Sequence, residues 1–198
     1  MILARDIMRI IAGEFRGRKL LAPEGDVTRP ITDRAKQSLF DVLSPYIEGA
    51  NVFDLFAGTG SMGLECLSRG AKHATFFEAD RSALMRLKKN IAALGVAGRA
   101  RVISQDLFRW FSAASPPVEG AGEIDLLFLD PPYRFLRERP EDLRGLAEKL
   151  QAHLAPDGIV IFRHDAADTL ELPSLAPFDR RDYGQMTIEL LSRLSEQQ

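Results

Sequence analysis

The chain has 198 residues, 45% of them hydrophobic and 27% charged, with 26 basic against 28 acidic side chains for a net charge of −2. That balance suits one globular domain with a full core. It excludes a protein that grips nucleic acid through a general carpet of lysine and arginine, and the single cysteine excludes an intramolecular disulfide.

Cys66 sits among Leu64, Glu65 and Leu67 in an expected helix and reads as a small buried hydrophobe. No apolar run is long enough for a bilayer. Arg5, Asp6 and Arg9 fall where a secretory signal needs an apolar stretch. A cytoplasmic protein is expected, and Met8 reads as a second possible start.

In chain order, Met8–Ala12 and Lys19–Ala22 flank Gly13-Glu14-Phe15-Arg16-Gly17-Arg18, the pattern of a β-hairpin. Pro30 favours extended chain before it. Thr32 or Asp33 can then cap a helix to Leu43, with Ala35, Leu39, Val42 and Leu43 on one face. From Arg9 to Lys36 seven basic residues meet four acidic ones, a local net charge of +3. This basic extension, residues 1–46, is the candidate RNA-binding region.

Residues 47–198 alternate strand and helix. Strands are predicted at Val52–Phe56, Ala74–Glu78, Arg101–Gln105, Ile124–Leu129 and Gly158–Arg163, and helices at Ser61–Arg69, Ser82–Leu94 and Glu141–Leu154. Gly70 and Gly95 close the first two helices. Ala113–Gly122 reads as a surface loop, and Phe178–Leu191, with a turn at Tyr183-Gly184, as a terminal antiparallel hairpin. The fold class is α/β: a Rossmann-like, mostly parallel twisted sheet with helices on both faces. Ile124–Leu129, the most apolar strand, is expected at its centre.

Ligands of open α/β sheets bind beyond the carboxyl ends of the strands. The first such end is Asp54-Leu55-Phe56-Ala57-Gly58-Thr59-Gly60-Ser61-Met62-Gly63, a G-x-G-x-x-G loop opening a helix. By itself this is a weak signal, common to several adenosine-containing cofactors. The second ends in Glu78-Ala79, where a carboxylate can accept both hydroxyls of a ribose. The 24 positions from Asp54 to Glu78 are close to the spacing of ~20 found in nucleoside-binding folds. The third ends in Gln105-Asp106, where the Asp106 carboxylate can accept from an adenine amino group or merely cap a helix.

The fourth end, Asp130-Pro131-Pro132-Tyr133, decides the chemistry. Two prolines fix the turn and remove two donors. The Asp130 carboxylate and the Pro131 carbonyl remain as acceptors, beside the flat ring of Tyr133. A planar NH2 group on a nucleobase needs both: two acceptors for its hydrogens and an aromatic face. Acceptors on both hydrogens push electron density back onto nitrogen and aim it at an electrophile such as a sulfonium methyl.

MRIIAGEFRGRKLLAP, RPITDRAKQSLFDVL, DLFAGTGSMGLECLSRGA, FFEADRSA and FLDPPY together resemble the class I methyltransferases of the bacterial small-subunit rRNA guanine-N2 family. In that family the product is N2-methylguanine at position 966 of 16S rRNA. The resemblance runs from about Met8 to Leu191, and the N-terminal phrases are its specific part.

It implies S-adenosylmethionine as cofactor, S-adenosylhomocysteine as product, and ribosomal RNA or a small-subunit particle as partner. No metal is expected, and a monomer. The implied cofactor residues are Asp54, Phe56, Ala57, Gly58, Thr59, Gly60, Glu78, Ala79, Asp106 and Leu107. Within that set the glycine loop with Asp54 serves the methionine end, Glu78 the ribose and Asp106 the adenine. Asp130, Pro131, Pro132 and Tyr133 would hold the base. Arg16, Arg18 and Lys19 are candidates for phosphate contacts, and Arg29, Thr32 and Arg34 for the mouth of the site.

Three positions depart from the pattern: Ile31 where threonine is common, Lys36 where arginine is common, and Arg163 where glutamate is expected. His164 reads as a surface residue. An adenine-N6 or cytosine-N4 methyltransferase shares the same loop, but nothing outside the core is long enough for a separate target-reading domain. A protein-glutamine methyltransferase, a silent RNA-binding factor and a nicotinamide dehydrogenase fit the motifs less well.

Overall fold

The computed structural model describes residues 8–23, 31–112 and 123–194. Arg29 and the loop expected at 113–122 lie outside them. Seven strands form one sheet in the order β3-β2-β1-β4-β5-β7-β6. β1 (Asn51–Leu55), β2 (His73–Phe77), β3 (Ala100–Ile103), β4 (Ile124–Leu129) and β5 (Leu154–Asp165) run parallel. β6 (Leu175–Tyr183) and β7 (Met186–Arg193) are the antiparallel terminal hairpin. β4 lies fourth of seven, at the centre that its apolar run predicts.

Side chains alternate between two cores, as strand period dictates. On one face Val52, Phe76, Leu126, Phe128 and Ile161 meet three helices: α1 (Asp33–Leu43), α2 (Ser61–Ser68) and α3 (Arg81–Leu94). On the other, Phe53, Phe77, Leu127, Leu129 and Phe162 meet α4 (Leu107–Ser112), α5 (Phe135–Glu138) and α6 (Pro140–Gln151). The short helices α4 and α5 are additions to the sequence reading.

Each long helix starts and stops for a local reason. Thr32 Oγ1 accepts from the Ala35 N–H and Asp80 from the Ala83 N–H, so both residues are N-caps. Gly95 closes α3 in the left-handed region at φ 71°. Gly63 lets α2 approach the sheet, because a Cβ there would stand 2.4 Å from the Phe76 ring.

The N-terminal segment is the expected hairpin: Arg9 and Lys19 form an antiparallel bridge, Ile10 N–H donates to the Arg18 carbonyl at 3.0 Å and Leu20 N–H to the Met8 carbonyl at 2.8 Å. Its backbone also bonds outward. The Ile11 and Ala12 N–H groups donate to the two oxygens of Glu65, at 2.8 and 3.0 Å, and Phe15 N–H donates to Ser68 Oγ. Asn90 receives Leu21 N–H and returns a donor to the Leu21 carbonyl. Ile10, Leu20, Leu39 and Phe40 belong to the same core as α2 and α3.

Two single residues complete the comparison. Cys66 is fully buried, and burial pushes its thiol well above the ordinary range. His164 is corrected: it is 1% exposed, not a surface residue. β5 runs past its expected end to Asp165, between β4 and β7, which puts His164 on the face of Phe162 with the rings 4.8 Å apart. Among the described residues no helix is long and apolar enough to cross a membrane.

Candidate active site

The carboxyl ends of β1, β2, β3, β4 and β5 converge on one edge, and the expected residues sit there. After β1 the chain turns through Phe56 (φ 61°), Gly58 (φ 55°) and Gly60 (φ 85°) before α2. A left-handed phenylalanine is a strained conformation of the kind found at ligand sites. The turn is tied to the sheet by Ala57 N–H donating to the Phe77 carbonyl at 2.9 Å. A Cβ on Gly60 would meet Leu87 at 2.5 Å, whereas one on Gly58 meets nothing within 4 Å. Gly58 therefore faces open space, where a ligand can approach the backbone.

Thr59 is buried. Its carbonyl accepts from the Asn90 side chain at 2.9 Å, and its hydroxyl donates to Met8 Sδ at 3.3 Å. The N-terminal segment thus braces the loop from behind.

Glu78 accepts from the Gly58 N–H at 2.6 Å with one oxygen and from the Asp80 N–H at 2.7 Å with the other. Burial pushes its pKa up, against those backbone donors. The carboxylate is thereby fixed beside the glycine loop, with lone pairs left for a diol, and Ala79 beyond it is exposed.

Asp54 lies beneath the loop, 2% exposed, its Oδ2 accepting from the Gly63 N–H at 3.0 Å. It holds the start of α2 in place. Burial pushes its pKa to about 8, with the Gly63 donor opposing and the charges of Asp130 and Glu78 adding to the rise. Unfolded, Asp54 ionises near 3.8; folded, it keeps its proton to about 8. The folded state binds the extra proton throughout that window, so this group makes stability fall as pH rises across it. Asp54→Asn keeps an oxygen for Gly63 and is expected to flatten that slope. Urea unfolding from about pH 5 to about pH 9 measures it, and an unchanged slope contradicts the assignment.

Asp106 is exposed and caps α4, its Oδ1 accepting from the Arg109 N–H at 3.0 Å, while Leu107 is buried behind it. The cap engages one of its two carboxylate oxygens. Phe56, Phe108 and Phe135 form a ring cluster with centroids 6.0 Å apart, and the Arg139 guanidinium covers Phe108 at 3.9 Å. The sequence reading did not find this aromatic wall, because its parts come from three separate segments: the turn after β1, α4 and α5.

At the end of β4 the turn holds Asp130 half-buried, Pro131 buried, and Pro132 and Tyr133 half-buried. The Pro132 carbonyl accepts from Phe135 N–H at 2.8 Å, which winds the loop into α5. Arg163, at the end of β5, donates through Nε to Asp130 Oδ1 at 2.7 Å. Burial pushes Asp130 above the ordinary carboxylate range, and Arg163 opposes the rise.

Arg16, Lys19 and Arg34 are exposed; Arg18 is exposed too, but one of its nitrogens donates to the Ala93 carbonyl at the end of α3. Thr32 is committed as the cap of α1. Lys36, one of the departures from the family pattern, and Glu65 are a buried ion pair at 3.0 Å. Among the described residues there is no group of three or more His, Cys, Asp or Glu able to hold a metal.

Known proteins are similar to this chain in sequence and in fold. A Bacillus subtilis protein provisionally named an rRNA methyltransferase, YlbH, is 39% identical over 166 residues, covering 84% of this chain and 86% of the relative. Escherichia coli ribosomal RNA small subunit methyltransferase D is 42% identical over 142 residues, covering 72% of this chain and 64%, just under two thirds, of the relative. The solved structure of the E. coli yhhF protein, provisionally named a methyltransferase, superposes with a TM-score of 0.78 at 31% identity, covering 96% of this chain and 99% of that one. Residues 8–192 match the model of the family described as Conserved hypothetical protein 95, and the chain belongs to that family.

Proposed function

We propose that this chain transfers the methyl group of S-adenosylmethionine to the exocyclic N2 amine of a guanine in 16S rRNA of the small subunit, acting as a monomer. The observation that carries the reading is the Asp130-Pro131-Pro132-Tyr133 turn, set on the same sheet edge as a glycine loop whose Gly58 N–H is bonded to Glu78. The names of the relatives above support rRNA as the substrate class.

The residues fit the cofactor. The space in front of Gly58 admits a ligand, and the Glu78 carboxylate is fixed to receive a ribose diol. Phe56, Ala57, Thr59 and Gly60 shape the loop. Asp54 supports it from beneath, and Asp106 with Leu107 borders the expected adenine position. When bound, S-adenosylmethionine supplies an electrophilic sulfonium methyl and leaves as the neutral thioether S-adenosylhomocysteine.

The chain's own residues aim the nucleophile. Asp130 accepts one amine hydrogen, the Pro131 carbonyl accepts the other, and Tyr133 offers the base its flat face. The nitrogen pair forms the new N–CH3 bond while the sulfur keeps the electrons of the broken one. The surplus proton on that nitrogen would then pass to the Asp130 carboxylate and from there to water. The exposed Arg16 and Lys19, with Arg18 beside them, contact phosphates, and those contacts weaken as salt rises, while Arg34 stands at the mouth of the site. In this scheme residues 1–46 bring the RNA and residues 47–198 perform the transfer.

Glu78→Ala separates the two halves of the site. It is expected to weaken cofactor affinity by roughly 10- to 100-fold, about 1.5–3 kcal/mol for a hydrogen bond to a charged group. The transfer rate at saturating cofactor should change far less. Calorimetric titration with S-adenosylhomocysteine measures the first and single-turnover labelling of undermethylated small subunits the second. Label entering protein or DNA in preference to rRNA contradicts the proposed substrate class.

A further inference from the structure

Arg163 stands where the family resemblance leads one to expect glutamate. β4 and β5 pair in parallel, with Leu129 opposite Phe162, so Asp130 and Arg163 follow on neighbouring strands at the same level. Their side chains meet at 2.7 Å while 24% and 12% exposed. A pair so little hydrated is held by geometry and is weakly screened. Burial lowers the guanidinium pKa and Asp130 and Tyr133 raise it, with a net rise, so the arginine stays charged.

The ionisable groups facing this pair are known from each element around it. Asp54 comes from β1 and lies close enough to act electrostatically on Arg163. Tyr133 comes from the loop after β4. Glu78, from β2, acts on Asp54. β7, on the other side, places Ile188 opposite Arg163. Arg163 is therefore the cation beside the Asp130 carboxylate, with the Tyr133 phenol and the buried carboxyl of Asp54 next to it.

We propose that Arg163 is a positioning residue for methyl transfer: it occupies Asp130 Oδ1, leaving Oδ2 turned towards the target amine, and it keeps the carboxylate ionised. The proposal rests on the reading of Asp130 as the acceptor for that amine. Its physical necessity follows from the donors involved. An NH2 group offers only hydrogens to this contact, so a protonated Asp130 would set donor against donor. A carboxylate free to rotate would divide its time between orientations, of which one is productive. The planar, permanently charged guanidinium removes both failures at once.

A double-mutant cycle tests this in the full-length protein, with Arg163→Gln, Arg163→Lys, Asp130→Asn and the combined variants. Single-turnover rates at saturating S-adenosylmethionine are followed against pH on undermethylated small subunits, and S-adenosylhomocysteine affinity is measured for each variant. Wild-type transfer is established first; its absence would overturn the functional reading itself, independently of Arg163.

Arg163→Gln is expected to slow transfer by roughly 10- to 100-fold, the scale of a misplaced catalytic group, with cofactor affinity nearly unchanged. The acid limb of its rate profile should move to higher pH, because Asp130 loses the cation that opposes its protonation. Arg163→Lys should restore most of the rate and the limb. In the Asp130→Asn background, removing Arg163 should cost nothing more.

Additive losses in the cycle, an unmoved acid limb, or a lysine variant no better than glutamine would each overturn the proposal. If Arg163→Gln does not fold, the lysine variant decides the matter, since it keeps the charge but loses the planar fork. Its rate is expected to lie below wild type, with the deficit vanishing in the Asp130→Asn background, and a deficit that persists there overturns the assignment.

Discussion

Asp130→Ala is expected to lower the transfer rate by roughly 100- to 1,000-fold, the range seen when one preorganised hydrogen-bonding group is taken from a reacting centre. Cofactor affinity should stay within a few-fold of wild type. The amine of a nucleobase is a poor nucleophile because its lone pair is shared with the ring, and acceptors on its hydrogens localise that pair. Without the carboxylate only one designed acceptor remains, the Pro131 carbonyl. Alanine also strands the Arg163 guanidinium, which loses its 2.7 Å partner in a site where it is 12% exposed. Asp130→Asn, similar in shape, therefore gives the cleaner rate measurement, and Asp130→Ala should additionally melt at lower temperature. Ordinary turnover by Asp130→Ala, which keeps no side-chain acceptor, would show that the turn does not hold the target base.

The largest stability effect is expected at Glu65, which takes no part in the chemistry. Its carboxylate is 0% exposed and satisfied by four donor groups: Lys36 at 3.0 Å, Arg69 at 2.9 Å, and the Ile11 and Ala12 N–H groups. Lys36, 2% exposed, also bonds Ser61 Oγ at 3.1 Å and the Arg9 carbonyl at 3.3 Å. Glu65→Ala leaves a buried ammonium without its counter-ion and two backbone donors without an acceptor. A loss of about 3–5 kcal/mol is expected, as for other broken buried pairs.

The pair is expected to cost much less when removed together, so Glu65→Leu combined with Lys36→Met should recover a large part of the loss. Urea unfolding of the three proteins measures it. Burial acts to raise the pKa of Glu65, but Lys36, the Ile11 N–H and Arg69 hold it below the ordinary glutamate value of 4.5. Its contribution is therefore present above that value and is lost as pH falls through the folded pKa. A single Glu65→Ala variant as stable as wild type would contradict this account of how the N-terminal segment is anchored.

The βα alternation was legible because each strand carries its apolar residues in a short block closed by a glycine or a capping residue. Thr32, Asp80 and Gly95 act where those local signals place them. The glycine loop, Glu78 and the Asp130 turn were legible for a second reason: a parallel sheet brings successive strand ends to one edge, so sequence order alone assembles them.

What sequence could not supply were contacts between elements that are distant along the chain. Glu65 looks like an exposed helical acid until α2 is known to pack under residues 9–12. Arg163 has no local partner; only the β4–β5 register brings it to Asp130. His164 was misplaced because the terminal hairpin, by pairing β7 along β5, lengthens that strand and encloses its end. The N-terminal hairpin itself was legible, but not that its Ile11, Ala12 and Phe15 N–H groups are taken by Glu65 and Ser68.

The central claim is that the turn after β4 presents a guanine N2 amine to a sulfonium methyl. Its most direct test is transfer of labelled methyl from S-adenosylmethionine to small subunits lacking the modification, followed by digestion of the rRNA to nucleosides and chromatography against standards. Label in N2-methylguanosine is the result predicted here. Label in N6-methyladenosine or N4-methylcytidine would keep the fold and the chemistry of the turn but contradict the base. Cofactor binding with no label in any rRNA nucleoside would contradict the claim as a whole.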